Sequence, residues 1–279
     1  MKIIQKPKQV QDIIKRLKQQ KKLIGFVPTM GALHQGHISL IHRARKENDI
    51  VVVSIFVNPT QFTPDEDFTR YPRSFKKDVA ICRNERVDII FAPKLEVMYP
   101  ENYLTYITVE KLSDIMCGQF RQGHFRGVAT IVAKLFNIVQ PDKAYFGLKD
   151  YQQSVIIRKM VDDLNLPIQV ITCPTVRGED GLALSSRNVY LSNEERKNAL
   201  SLSCALQNVK NLVKYNKLQT AQSVIKNIKK RIISYFDKID YIEVRDAETL
   251  EEVKYINKKV VIAVAVSIGK TRLIDNVIV

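Results

Sequence analysis

Residues Leu23–His37 read LIGFVPTMGALHQGH. The first seven, LIGFVPT, form an apolar run of the kind that fills a strand buried on both faces. A glycine-bearing turn follows, with two histidines three residues apart, and then ISLIHRARKEN has the spacing of a helix. Strand, tight turn and helix start together mark a crossover unit of a parallel α/β sheet.

The same alternation extends in both directions. Residues 9–21 carry Val10, Ile13, Ile14 and Leu17 at helical spacing, with lysines on the opposite face. Downstream, DIVVVSIFV reads as a strand, SFKKDVAICRNER as a helix and VDIIFAP as a strand. Residues 127–139 read as a helix, KAYFG as a strand, DYQQSVIIRKMVDDLN as a helix and PIQVITCPTV as a strand. This order predicts a Rossmann-like, doubly wound parallel sheet over residues 1–177. The texture changes after RGEDGLALSSRNVYLS. Residues 193–236 suggest two helices, and DYIEVRD, KKVVIAVAVSIG and TRLIDNVIV suggest short strands. A second, smaller α+β domain with an antiparallel sheet is expected over residues 178–279.

Composition narrows the function classes. With 279 residues, 45% hydrophobic and 26% charged, the chain has the make-up of a globular protein with room for two domains. No apolar run reaches membrane-spanning length, and MKIIQKPKQV lacks the apolar core of a secretory signal. The four cysteines are scattered, without a CxxC pair. A cytoplasmic protein with reduced thiols and no membrane partner is expected. The net charge of +15 raises the question of nucleic acid. The lysines are spread along the chain and no aromatic–basic module interrupts them, so the charge reads as a solvated surface with no nucleic-acid partner. Such a field also suits a site for small polyanions.

In an open α/β sheet, ligands collect at the carboxyl ends of the strands, where the histidine turn lies. Gly31 permits close backbone approach, and Gly36 removes bulk between the rings. On a first helical turn His34 and His37 share a face, and with the helix N-terminus they can meet one anion, such as a triphosphate. A metal pair fits less well, because no third ligand is placed to help. Three other clusters follow strands. FVNPTQF brings Asn58 and Gln61, uncharged groups suited to hydroxyls or a carboxylate. YFGLKDYQQ brings Gly147, Lys149 opposite phosphates, Asp150 as helix cap or ribose contact, and Gln153 on the same helix face. LSSRN, Leu184–Asn188, reads as a mobile phosphate clamp or as a linker before a helix capped by Ser192. CGQFRQGHFRG, with Arg121, His124 and Arg126, reads equally as a lid or a surface loop.

PTMGALHQGH, FVNPTQF, GLKDYQQ and LSSRN occur in this order and at this spacing. As a set they closely resemble the pantoate–β-alanine ligase family, and the resemblance covers essentially the whole chain. HxGH alone is shared more widely, across a nucleotidyltransferase superfamily that includes class I aminoacyl-tRNA synthetases. Many family members have methionine where this chain has Leu184.

The resemblance implies a two-step reaction. Pantoate carboxylate attacks the α-phosphorus of magnesium-ATP, giving pantoyl adenylate and pyrophosphate. The β-alanine amine then attacks the acyl carbon, giving pantothenate and AMP. It further implies that His34 and His37 stabilise phosphates, with His37 also a proton donor, that Lys149 holds phosphate oxygens, and that Ser185, Ser186 and Arg187 close over the triphosphate. Met30, Gly31, Gly147, Asp150, Val176 and Leu184 would border the nucleotide. Gln61 and Gln153 would hold pantoate, with Gln61 near β-alanine. Mg2+ would accompany ATP with unassigned ligands, and a homodimer through the amino-terminal domain is implied. The residues themselves show no serine or cysteine nucleophile with a partnered base, so covalent enzyme catalysis is not required. The alternatives are an adenylyltransferase that leaves the nucleotide on its product, and an RNA-binding module.

Overall fold

The computed structural model describes residues 1–279. The first part of the chain runs β1 (Lys2–Ile4), α1 (Pro7–Gln19), β2 (Ile24–Thr29), α2 (Gln35–Glu47), β3 (Ile50–Ile55), α3 (Phe75–Asn84) and β4 (Ile89–Phe91). It continues through two single-turn helices, α4 (Leu95–Met98) and α5 (Cys117–Phe120), then α6 (His124–Val139), β5 (Lys143–Gly147), α7 (Tyr151–Asp163) and β6 (Gln169–Cys173). The six strands form one parallel sheet in the order β1-β4-β3-β2-β5-β6. Neighbouring residues on β2 point to opposite faces, and both faces are covered. Phe26 belongs to a core with α1, α6 and α7, whereas Val27 belongs to a core with α2 and α3. That is why these strands read as continuous apolar runs.

Strand order reverses between β2 and β5, which are neighbours although α2 leads from β2 to β3 on the other side. The crevice at the carboxyl ends of β2 and β5 is therefore the topological switch point, the place where open α/β sheets bind ligands. It receives the histidine turn from one side and the Lys149 turn from the other.

The rest of the chain runs α8 (Asn193–Lys214), α9 (Ala221–Ile232), β7 (Lys238–Asp246), β8 (Val260–Ile268) and β9 (Thr271–Ile278). The strands form an antiparallel sheet, β7-β8-β9. Val260, Ile262, Val264 and Val266 pack with α8 and α9. Val261 and Ala263 face the other way, onto Met116, Tyr151 and Val155. Because β8 is covered on both faces, it lacks the polar alternation usual in an antiparallel strand.

One strand was not foreseen and two expectations change. β1 pairs with β4 at the sheet edge, a three-residue strand too short to signal itself in sequence. α6 begins at His124, three residues earlier than periodicity suggested. His34 is not in the first turn of α2; it is the extended N-cap, with φ −138° and ψ 178°.

Candidate active site

The histidine turn is built from its own residues. Thr29, at the end of β2, donates its hydroxyl to the Ser54 carbonyl at 2.6 Å and accepts from the Gly31 amide at 3.1 Å. Gly31 then takes φ +82°, in the left-handed region that favours glycine. The Ala32 and Leu33 amides donate to the Asp78 carboxylate at 3.0 and 2.8 Å. Asp78 is 1% exposed, so this buried carboxylate anchors the turn to α3. His34 Nδ1 accepts from the Gly36 amide at 3.1 Å, and His37 Nδ1 accepts from the His34 amide at 3.3 Å. The two histidines thus form a reciprocal capping box of the kind usually made by a hydroxyl and a carboxylate. A methyl group at Gly36 would stand 2.8 Å from the His34 ring. The rings lie 4.2 Å apart, tilted by 46°.

This bonding assigns the tautomers. Each Nδ1 is an acceptor, so a neutral ring carries its proton on Nε2. Burial first, and the Lys149 charge second, lower the His34 pKa to about 4. Burial, with His34 and Lys149 adding to it, lowers His37 to about 3. At neutral pH both rings are uncharged Nε2–H donors.

Lys149 sits in a 3-10 turn, Leu148–Asp150, directly after β5. Its ammonium lies 3.5 Å from Asp150, its only carboxylate neighbour within salt-bridge distance. Asp150 occupies the N-cap position of α7 but makes no side-chain cap bond.

The FVNPTQF segment is a clamp around one side chain. Asn58 is 1% exposed and donates to Gln61 Oε1 at 3.0 Å and to the Gly127 carbonyl at 3.2 Å. It is committed internally, contrary to the expectation that it meets substrate. Since Gln61 Oε1 is an acceptor there, its Nε2 is left as the donor, beside Met30 Sδ at 3.2 Å. Behind Gln61, its carbonyl accepts from His124 Nδ1 at 2.7 Å and from Arg121 at 3.3 Å. Arg121 also donates to His124 Nε2 at 3.0 Å and forms a two-point pair with Glu66. Burial, then the Arg121 charge, hold His124 well below the ordinary histidine range. A methyl group on Gly127 would come within 2.2 Å of the Thr60 carbonyl, so only glycine lets α6 approach this closely. Arg121 and His124 therefore sit in a packed brace rather than a free lid or surface loop.

Arg187 follows Ser185, which accepts from the Arg187 amide at 3.3 Å. The guanidinium pairs with Asp67 through Nε at 2.9 Å and Nη2 at 2.7 Å, beside the Tyr71 and Phe62 rings. Burial opposes its charge, but Asp67 outweighs burial and raises its pKa. Ser186 and Tyr71 share a hydroxyl hydrogen bond at 2.9 Å.

One cleft gathers these groups. Its walls include Met30, His34, His37, Gln61, Gly147, Lys149, Asp150, Gln153, Val176 and Leu184–Arg187. Gly31 is the exception among the expected site residues; it shapes the turn from beneath, packed against Asp78 and Ile55. A second cavity shares Arg121, Lys149, Asp150, Ser185 and Arg187 with the first, so the cleft continues towards β9. Sequence reading passed over Asp78, Tyr71 and the Glu66–Asp67 pair. Only the run of three acids in PDEDF hinted at the last. No group of three or more His, Cys, Asp or Glu side chains is placed to hold a metal ion. No helix is long and apolar enough to cross a membrane.

Comparisons with known proteins cover essentially the whole chain. The family model described as pantoate-β-alanine ligase matches residues 2–278. A pantothenate synthetase of a Sulfurihydrogenibium species is 54% identical over 280 residues, covering 99% of each chain. That of Thermotoga petrophila is also 54% identical, covering 100% of this chain and 99% of its own. The crystal structure of pantothenate synthetase from Thermus thermophilus superposes with a TM-score of 0.93 at 43% identity, covering 99% of both chains. The pantoate-β-alanine ligase of Francisella tularensis, complexed with β-γ ATP and β-alanine, gives 0.81 at 38% identity, covering 99% of this chain and 97% of its own. At this coverage and identity, the chain belongs to the pantoate–β-alanine ligase family.

Proposed function

We propose that this ligase joins pantoate to β-alanine in two half-reactions within the switch-point cleft, through a pantoyl adenylate. Activation is the harder step, because a carboxylate must approach the already anionic α-phosphorus. Fixed donors and cations aimed at the phosphate oxygens are the remedy. The observation that carries the reading is the convergence of the Lys149 ammonium and two neutral Nε2–H donors at the N-terminus of α2. Lys149 takes phosphate oxygens through the transition state. His34 and His37 donate hydrogen bonds there. Burial holds His37 neutral, so it meets the phosphates as an Nε2–H donor, and the family resemblance adds the role of proton donor. Ser185, Ser186 and the remaining N–H groups of Arg187 close on the β- and γ-phosphates, while Met30, Gly147, Asp150, Val176 and Leu184 border the nucleotide.

Gln61 meets pantoate through Nε2, since Asn58 holds its oxygen. Gln153 binds the same substrate from α7. The amine of β-alanine then attacks the acyl carbon on the Gln61 side, and AMP leaves.

Magnesium would accompany the triphosphate. The donor set would fit an ion that keeps phosphate oxygens and water, because no carboxylate cluster is placed to hold it: Glu66 and Asp67 are committed to arginines, and Asp150, partly exposed beside Lys149, is the nearest protein carboxylate in the cleft wall. When bound, it offsets phosphate charge.

Residues 1–177 form the nucleotide- and pantoate-binding domain in this reading, and residues 178–279 form a domain that closes over the cleft. The family resemblance supports a homodimer through the larger domain, which light scattering tests. The four free cysteines suit the reducing cytoplasm.

The deciding experiment incubates the purified protein with ATP and magnesium, with and without pantoate and β-alanine, and identifies every product. AMP and pantothenate formed only with both substrates, with pyrophosphate released in about enzyme-equivalent amount when pantoate is added alone, is the expected result. Adenylated product that persists when β-alanine is present would instead indicate a nucleotidyltransferase.

A further inference from the structure

The turn that carries Lys149 is held from the other sheet. Asn276, on β9, is 7% exposed and donates from Nδ2 to two consecutive carbonyls, Leu148 and Lys149, both at 2.9 Å. A primary amide has two N–H groups, and both are used here on the backbone of one turn. Ala263 lies opposite Asn276 on β8, on the strand face that packs against the first part of the chain. The preceding residue reinforces the grip. Asp275 is 3% exposed, accepts from the Asn276 amide at 2.8 Å, and pairs with Arg177 at 2.6 and 2.9 Å. Arg177 directly follows Val176 in the cleft wall. One dipeptide of β9 thus braces two segments of the cleft. The Lys149 turn needs this help, since Asp150 makes no side-chain cap bond at the start of α7.

We propose that Asn276 is a positioning residue for the ligation reaction: its paired hydrogen bonds to the Leu148 and Lys149 carbonyls aim the Lys149 ammonium at the phosphates. The inference rests on the assignment of Lys149 to phosphate binding. Displacing a charge donor by about 1 Å lowers a rate by about 10²-fold, and a flexible lysine on a loosened turn is open to that loss.

A double-mutant cycle tests it. Wild type, Asn276→Ala, Lys149→Ala and the double variant are compared by kcat for AMP formation, with thermal midpoints recorded. Asn276→Ala is expected to lower kcat about 10²-fold. In the Lys149→Ala background the same change should cost less than about twofold, because what it positions is gone. Independent, multiplicative losses would overturn the proposal and leave Asn276 as an interface residue. A Lys149→Ala rate near wild type would instead remove the assignment of Lys149 itself. A depressed Asn276→Ala rate beside it would show Asn276 acting by another route. Asn276→Ser, which keeps one donor, is run through the same cycle in case the alanine variant does not fold, and the same outcomes decide.

Discussion

Two turns meet across the cleft, and they are held in opposite ways. The histidine turn is largely self-supporting: His34 accepts from the Gly36 amide, His37 accepts from the His34 amide, Thr29 receives Gly31, and a single buried carboxylate from α3 completes the frame. The Lys149 turn has no comparable local frame. Its carbonyls are gripped by Asn276, more than a hundred residues away in sequence. The neutral donors are therefore preorganised by neighbouring residues, whereas the charged donor depends on how the two sheets dock. Tyr151, one residue past the lysine turn, donates its hydroxyl to the Ala247 carbonyl at 2.6 Å and adds a second anchor to that docking.

The largest expected effect falls on the charge. Lys149→Ala removes one preorganised cation without touching the hydrogen bonds of the histidine turn, and should lower the rate of pantoyl-adenylate formation about 10²–10³-fold. Single-turnover pyrophosphate release measures it, and a near-wild-type rate would erase the division of labour between the turns. Next comes the local frame. Asp78→Ala leaves the Ala32 and Leu33 amides without their acceptor inside the protein, at about 1–3 kcal/mol for each orphaned group. Denaturant midpoints should show a loss of about 3 kcal/mol in total, with activity falling alongside. Asp78→Asn keeps the shape and one acceptor oxygen, and should lose less. An unchanged midpoint in Asp78→Ala would mean that the histidine pair holds the turn alone.

How legible each turn was follows from the same contrast. His34, Gly36 and His37 lie within four residues, so their partnership could be read from spacing. Even there the sequence placed both rings on the helix, when His34 is the extended N-cap and the bond it accepts is what sets its tautomer. Lys149 was legible as a residue at the end of a strand, but its support was not. Nothing in TRLIDNVIV distinguishes Asn276 from the polar positions of any half-buried strand. The brace behind Gln61 was hidden for a related reason: CGQFRQGHFRG has loop composition, and only packing against Gln61 and Glu66 buries His124 and fixes Arg121. Local geometry is written in local sequence, whereas long-range hydrogen bonds are fixed only once the sheets are assembled.

Arg187 lies between these cases. Its amide is held locally by Ser185, and its guanidinium at long range by Asp67. Arg187→Ala should raise KM for ATP about tenfold, in keeping with the loss of one charge-assisted hydrogen bond, and should lower the thermal midpoint, because the largely buried Asp67 carboxylate is left without its partner. Steady-state kinetics at varied ATP measure the first and calorimetry the second. If ATP handling were unaffected, the LSSRN segment would be a linker and the cleft would rely on Lys149 alone for its cation.

A further effect separates the turns most cleanly, because only the histidine turn carries imidazoles that unfolding exposes to protons between pH 7 and pH 5. Burial keeps His34 and His37 neutral down to about pH 4 and about pH 3, whereas in the unfolded chain both take up protons near pH 6.5. Above pH 7 neither state binds these protons, so they contribute no pH dependence. Below pH 6.5 the unfolded state binds protons that the folded state refuses. Stability therefore falls as the pH falls, by up to about 1.4 kcal/mol per pH unit for each ring, until the native values are reached. His34→Gln should shrink the drop in thermal midpoint between pH 7 and pH 5. Asn276→Ala should lower the midpoint at both pH values without changing the drop, since the Lys149 turn carries no histidine. The imidazole Cε1–H shifts of His34 and His37 should stay flat from pH 8 to pH 5. A ring that titrates near pH 6.5 in the native protein would strengthen the proton-donor role of His37, and the capping box would then break and re-form with each proton gained and lost.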